Sequence, residues 1–282
     1  MRTVKDKTCI FRFENLVDIP QWLEAHPKRA IADHNASTKT SNNAWYGGVT
    51  YNQTLELVKS GWKEGANKVD AVKTRHVDRL TGQTEELVRT KFNPARAGGM
   101  VVVPQAIAGH PQCFRRPVSQ HRSTPVLNLW WLVATNCNMK STAFVNQGVA
   151  LLAVIDQVER RGIRVGVTVF SGTYSGERAC GWSCIVKRPQ DRLQIHQLAF
   201  PLAHAAYFRR LGFALMERQG SVEQCQPFIV SYGMPIDSLG DQTREKVKGL
   251  VPKDALCVIP RYTDDIDTAY NKIHTQITKE LS

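Results

Sequence analysis

Val126-Leu127-Asn128-Leu129-Trp130-Trp131-Leu132-Val133-Ala134 is a continuous apolar run, followed by the polar loop Thr135-Asn136-Cys137-Asn138-Met139-Lys140-Ser141. A short apolar run bounded by turn residues predicts a buried strand. From Ala143 to Arg161 the apolar residues Val145, Val149, Leu152, Ile155 and Val158 recur at helical spacing, and Arg160-Arg161-Gly162 supplies a cationic last turn and a glycine stop. A second apolar run, Ile163 to Phe170, follows at once. Strand, helix and strand at this spacing form a βαβ unit, which implies parallel neighbours in a covered sheet. Such sheets place ligands at the carboxyl ends of their strands, so the loop after Ala134 is the first place to look for function.

Outward from this unit the pattern stays α/β on the C-terminal side. Trp182–Lys187 and Ala255–Ile259 read as strands, and Phe228–Ser231 is a short apolar run. Ala203–Arg218 reads as a helix, and Asp264 to Leu281 as an amphipathic one with Asp264, Asp265 and Asp267 at its positive end. The glycine-containing stretch Ser171–Gly181 reads as a flexible loop beside the strand ends. On the N-terminal side, Cys9–Phe13 alternates as a short strand and Leu16–His26 reads as a helix. Thr50 caps a helix over Tyr51–Ser60 that Gly61 ends. Lys68–Thr90 reads as a long charged helix. Phe92–Thr124, rich in Gly and Pro, reads as irregular apart from Met100–Val103, and so long a segment is a functional candidate. The expected fold is α/β, a partly parallel sheet flanked by helices, with a helical, loop-rich N-terminal region over 1–123 and the core over 124–282.

The chain has 282 residues, 42 % of them hydrophobic, enough for a substantial core. It contains no apolar run long enough to span a membrane and no apolar leader at its start, which predicts a cytoplasmic location. The seven cysteines are irregularly spaced; Cys180 and Cys184 make a single C-x3-C pair without a second, and reduced thiols are expected.

The net charge is +12, and its distribution is uneven. Between Glu86 and Asp156 there is no carboxylate, while the same stretch holds Arg89, Lys91, Arg96, Arg115, Arg116, Arg122 and Lys140. An uncompensated cationic region attracts polyanions. Phe92 and Phe114 are interleaved with these cations, and rings beside guanidiniums are what a single-stranded nucleic-acid groove needs. Arg89, Lys91, Arg96, Arg115, Arg116, Arg122 and Lys140 are the candidate phosphate contacts. Phe92 and Phe114, with Tyr174 and Trp182, are the candidate stacking rings.

No phosphate-binding Gly-rich loop, zinc-deaminase signature or nucleophile elbow occurs. Asp264, Asp265 and Asp267 suit a helix start better than a two-metal centre. The reading is a binding protein without catalytic residues, metal or cofactor.

Two resemblances add to this. Val126–Ala134, Phe144–Arg161 and Ile163–Phe170 resemble the opening of a von Willebrand A-like, Rossmann-like domain. Such domains hold a divalent ion in an Asp-x-Ser-x-Ser loop, and here Asn136-Cys137-Asn138-Met139-Lys140-Ser141 lacks the acid and adds a cation, which implies a lost metal site. Trp45-Tyr46-Gly47-Gly48, Gly61-Trp62-Lys63-Glu64-Gly65, Gly98-Gly99, Val101-x-Val103-Pro104 and Gly109-His110-Pro111 resemble a family found in phages and plasmids. Within tailed phages, size, charge and organisation resemble a single-stranded-DNA-binding cofactor of the phage RNA polymerase. The resemblance implies single-stranded DNA and that polymerase as partners; the alternative is a metal-free von Willebrand A-like protein-interaction module.

Overall fold

A computed structural model describes residues 2–5, 8–26, 36–39, 43–76, 92–117, 125–134, 139–175, 178–219, 251–260 and 265–281. The strands are β1 (Arg2–Lys5), β2 (Thr8–Phe13), β3 (Phe92–Ala95), β4 (Met100–Val101), β5 (Phe114–Pro117), β6 (Val126–Leu132), β7 (Arg164–Ser175), β8 (Arg178–Lys187) and β9 (Leu256–Val258). The α-helices are α1 (Asp18–Ala25), α2 (Tyr51–Ser60), α3 (Lys63–His76), α4 (Val103–Ile107), α5 (Ser141–Arg160), α6 (Ile195–Ala203), α7 (Phe213–Gln219) and α8 (Ile266–Leu281). A π-helical segment, Tyr207–Gly212, leads into α7. Two compact units result, one made of 1–78 with 126–282 and one of 79–125.

The larger unit is α/β. Its six-stranded sheet runs β1-β2-β8-β7-β6-β9, and three of its five pairings, β2–β8, β7–β6 and β6–β9, are parallel. The βαβ unit falls where the apolar pattern puts it, with Val126–Leu132 in register with Arg164–Phe170. Its helix is more enclosed than a one-sided pattern implies: 13 of the 20 residues of α5 are buried. Packing against α3, α6 and α8 explains this, since a helix enclosed on several sides is apolar nearly all round. Gly148 permits the approach to α6; a Cβ there would lie 2.1 Å from the Leu202 carbonyl oxygen.

Local signals hold in α2. Thr50 Oγ1 accepts from the Gln53 N–H, and Gln53 Oε1 accepts from the Thr50 N–H, a closed capping box, while Gly61 ends the helix at φ +72°. Thr50→Ala should cost about 1 kcal/mol in urea unfolding; an unchanged midpoint would show that the box adds nothing.

Four expectations change. Ser171–Gly181 is not a flexible loop: most of it forms the arms of an antiparallel β7–β8 hairpin in which Gly172 faces Gly181. A Cβ on Gly181 would lie 2.5 Å from the Ser171 carbonyl oxygen, so that glycine serves close backbone approach. The helix expected from Lys68 begins earlier, at Lys63. The helix expected over Ala203–Arg218 is broken into α6, the π segment and α7. Phe92–Thr124 is not irregular throughout but contains β3, β4, α4 and β5. Phe228–Ser231 lies outside the described residues.

Among the described residues no helix is long and apolar enough to cross a membrane, and no cluster of His, Cys, Asp and Glu could hold a metal. Cys113, Cys184 and Cys257 are free thiols, and burial pushes the Cys184 thiol well up.

Candidate nucleic-acid interface

The smaller unit carries most of the described candidate residues. Its sheet is antiparallel in the order β3-β5-β4, so β5, with Phe114-Arg115-Arg116, is the central strand. Gly98 and Gly99, at φ +75° and +80°, make the turn into β4, and a Cβ on Gly99 would lie 2.2 Å from the Arg115 carbonyl oxygen. Register fixes which residues share a face. Met100 and Pro94 flank Arg115 on one face; Val101 and Ala95 flank Phe114 on the other, with Arg116 next along that face opposite Asn93.

Arg96, Arg115 and Arg116 are exposed and Phe114 is half-buried. Arg116 donates through Nη2 to the Ala97 carbonyl at 3.1 Å, which steadies the guanidinium without neutralising it. Among the described residues no carboxylate pairs with Arg96, Arg115 or Arg116. The acid-free run of sequence thus becomes, in its described part, a small sheet with guanidiniums on both faces. Apolar side chains accompany them: Met100, Val101, Val103 and Ile107 are 63 %, 48 %, 59 % and 82 % exposed. The four resemble core residues in sequence, and only their exposure among the described residues sets them apart.

The other candidates are dispersed. Arg89, Lys91 and Arg122 lie outside the described residues. Phe92 lies on β3 and Tyr174 on β7, described in their backbone alone. Lys140 belongs to the larger unit, where it is exposed at the N-cap of α5 and makes no side-chain capping bond. Trp182 is corrected: it is 1 % exposed, edge-on to Tyr207 at 5.8 Å, and a ring sunk in the core offers no face to a base.

The motif residues Trp45-Tyr46-Gly47-Gly48 have a different task. Two adjacent arginines of the π segment, Arg209 and Arg210, are 0 % and 2 % exposed. The Arg209 guanidinium lies 4.0 Å from the Trp45 ring centre and 5.0 Å from that of Phe144, and it donates to the Trp45 and Met139 carbonyls. Arg210 lies 3.6 Å over Tyr46 and donates to the carbonyls of Ser37, Lys39 and Val49. Burial raises the Tyr46 hydroxyl, against the pull of the Arg210 charge. This is an internal clamp on 36–39 and 43–49. Cation–π contact and carbonyl acceptors replace the water that each guanidinium loses.

Beside the clamp, His204 is 6 % exposed, accepts from the Ala206 N–H at Nδ1 and stands perpendicular to the Trp62 ring at 4.7 Å. Burial lowers its pKa from 6.5 to about 4. The unfolded chain therefore binds a proton between those values that the folded chain refuses. His204 contributes its full stability above pH 6.5 and loses it progressively down to pH 4, about 3 kcal/mol in all. Urea unfolding of wild type and His204→Phe across that range should show a shallower acid loss in the variant; parallel curves would exclude His204 as the cause.

No curated protein and no solved structure matches the chain. One family model does, across residues 2–282, and the chain belongs to the family described as a domain of unknown function, DUF7192.

Proposed function

We propose that the protein is a sequence-tolerant single-stranded-DNA-binding protein that acts by contact rather than catalysis. In this reading it works in the cytoplasm, in viral transcription or replication, by bringing a polymerase to exposed template. The observation that carries the reading is the exposed β3-β5-β4 sheet, with Arg96, Arg115 and Arg116 and no carboxylate partner among the described residues. Phosphates would track the guanidiniums, and bases would lie against Phe114 and the apolar residues of β4. Stacking of this kind contributes roughly 1–3 kcal/mol per base.

Fluorescence anisotropy of a labelled oligonucleotide at several salt concentrations tests it. Affinity should fall steeply with salt, and Arg115→Ala with Arg116→Ala should flatten the logarithmic slope by about 1.4, two single-strand phosphate contacts. Salt-independent binding, or a double variant with the wild-type slope, would sink the reading. The exposed Met100, Val101, Val103 and Ile107 favour a second one, a metal-free protein-interaction module. Partners captured from cells and retained after nuclease treatment would support that alternative.

A further inference from the structure

The larger unit holds a groove of about 540 Å³ that the nucleic-acid reading does not use. It opens beside β9, the edge strand next to β6. β6 has β7 on one side and β9 on the other, all three parallel, so progress across the sheet reverses at β6. Open α/β sheets bind ligands outside the carboxyl ends of their strands at such a reversal. Ile259 and Pro260, which leave the carboxyl end of β9, form one wall.

The opposite wall is α8. Lys272, Thr275, Gln276 and Lys279 line the groove at spacings of three, four and seven, one face of a helix. Ala269, Ile273 and Ile277 of the same helix are buried, and Ile273 also borders the groove at its base. Gln276 uses one N–H on the Cys257 carbonyl at 3.1 Å and keeps a second, and Thr275 donates to the Asn271 carbonyl. No carboxylate lines the groove among its described residues. The two lysines are separated by two helical turns, about 10.5 Å along the axis. A cavity within the size range of small-molecule sites, with a cationic, hydrogen-bonding wall facing an apolar one, fits an amphipathic anion.

We propose that this groove binds a small organic phosphate, its phosphoryl group held by Lys272 and Lys279 of α8 and its less polar body set against Ile259 and Pro260. Adenosine monophosphate, adenosine and inorganic phosphate separate the two halves of the claim when titrated calorimetrically into the full chain. The monophosphate should bind at least about 10-fold more tightly than adenosine, which lacks the charge, and more tightly than inorganic phosphate, which lacks the body. Lys272→Ala with Lys279→Ala should weaken the monophosphate at least about 10-fold, and because both side chains are exposed the double substitution opens no hole in the core. Three results would overturn the assignment: no monophosphate binding at millimolar concentration, inorganic phosphate binding as well as the monophosphate, or unaltered binding by the variant. The comparison of the three ligands uses the wild type and so stands independently of how the variant folds. Oligonucleotide affinity should not move in the same variant; a parallel loss there would hand the groove to the polymer and end the small-molecule proposal.

Discussion

Arg210→Met should lower the unfolding free energy by about 4 kcal/mol. The substitution keeps a long, flexible stem and removes only the guanidinium. The carbonyls of Ser37, Lys39 and Val49 then lose their donor, that of Ser37 in a fully buried position and the other two at its margin. Each stranded polar group costs about 1–3 kcal/mol, and a desolvated cation–π contact such as that with Tyr46 adds about 2 kcal/mol. Arg210→Lys should recover little of this, since an ammonium is a point charge and cannot fork to three acceptors around a ring. Arg161→Met, on the exposed turn after α5, is the control and should stay within about 0.5 kcal/mol of wild type. Urea unfolding with equal midpoints for the Arg210 and Arg161 variants would remove the clamp from the account of stability. Residues 36–39 and 43–49 should lose hydrogen-exchange protection first, because Arg210 holds three of their carbonyls.

Lys187→Met should cost about 3–5 kcal/mol, for a different reason. Lys187 is 3 % exposed and donates to Glu159 at 2.6 Å, to the Val165 carbonyl at 2.8 Å and to the Arg188 carbonyl at 3.3 Å. Glu159 also accepts from the Val165 N–H. Removing only the cation leaves a carboxylate facing an apolar side chain with little water to replace its partner, which is the expensive way to break a buried pair. The double variant Lys187→Met with Glu159→Gln should recover most of the loss, because glutamine keeps an acceptor for Val165 and carries no charge. A double variant as unstable as the single one would mean that Lys187 matters for its packing and carbonyl bonds alone. The cycle therefore separates the electrostatic contribution from the steric one.

These two side chains mark where the sequence is hard to read. The central βαβ unit is legible because its apolar runs have the right lengths and its helix has the right period. The α2 helix is legible because Thr50, Gln53 and Gly61 act within a few residues of one another. Arg209, Arg210 and Lys187 look like surface residues, since nothing adjacent announces their burial. Their partners, the Trp45 and Tyr46 rings and Glu159, are distant in sequence and meet them only in the fold. Short strands with awkward residues were equally opaque: β3 contains Pro94, tolerated because β3 lies at the edge of its sheet. At the candidate interface, the lack of carboxylates was plain in the sequence. That Phe114 and Arg116 share a face while Arg115 takes the other depended on a register that needs all three strands.

The sheet of the larger unit also says something about how the polypeptide comes into being. β2 pairs residue for residue with Ala179–Cys184 of β8, and the whole of the smaller unit is threaded between α3 and β6. During synthesis the opening strands emerge long before their partner exists, and the inserted sheet has only neighbours close in sequence to wait for. Vectorial assembly should thus complete the insert while the surrounding layers are still unpaired, and the slow step should be the late capture of β2 by β8, the kind of long-range closure that governs folding rates.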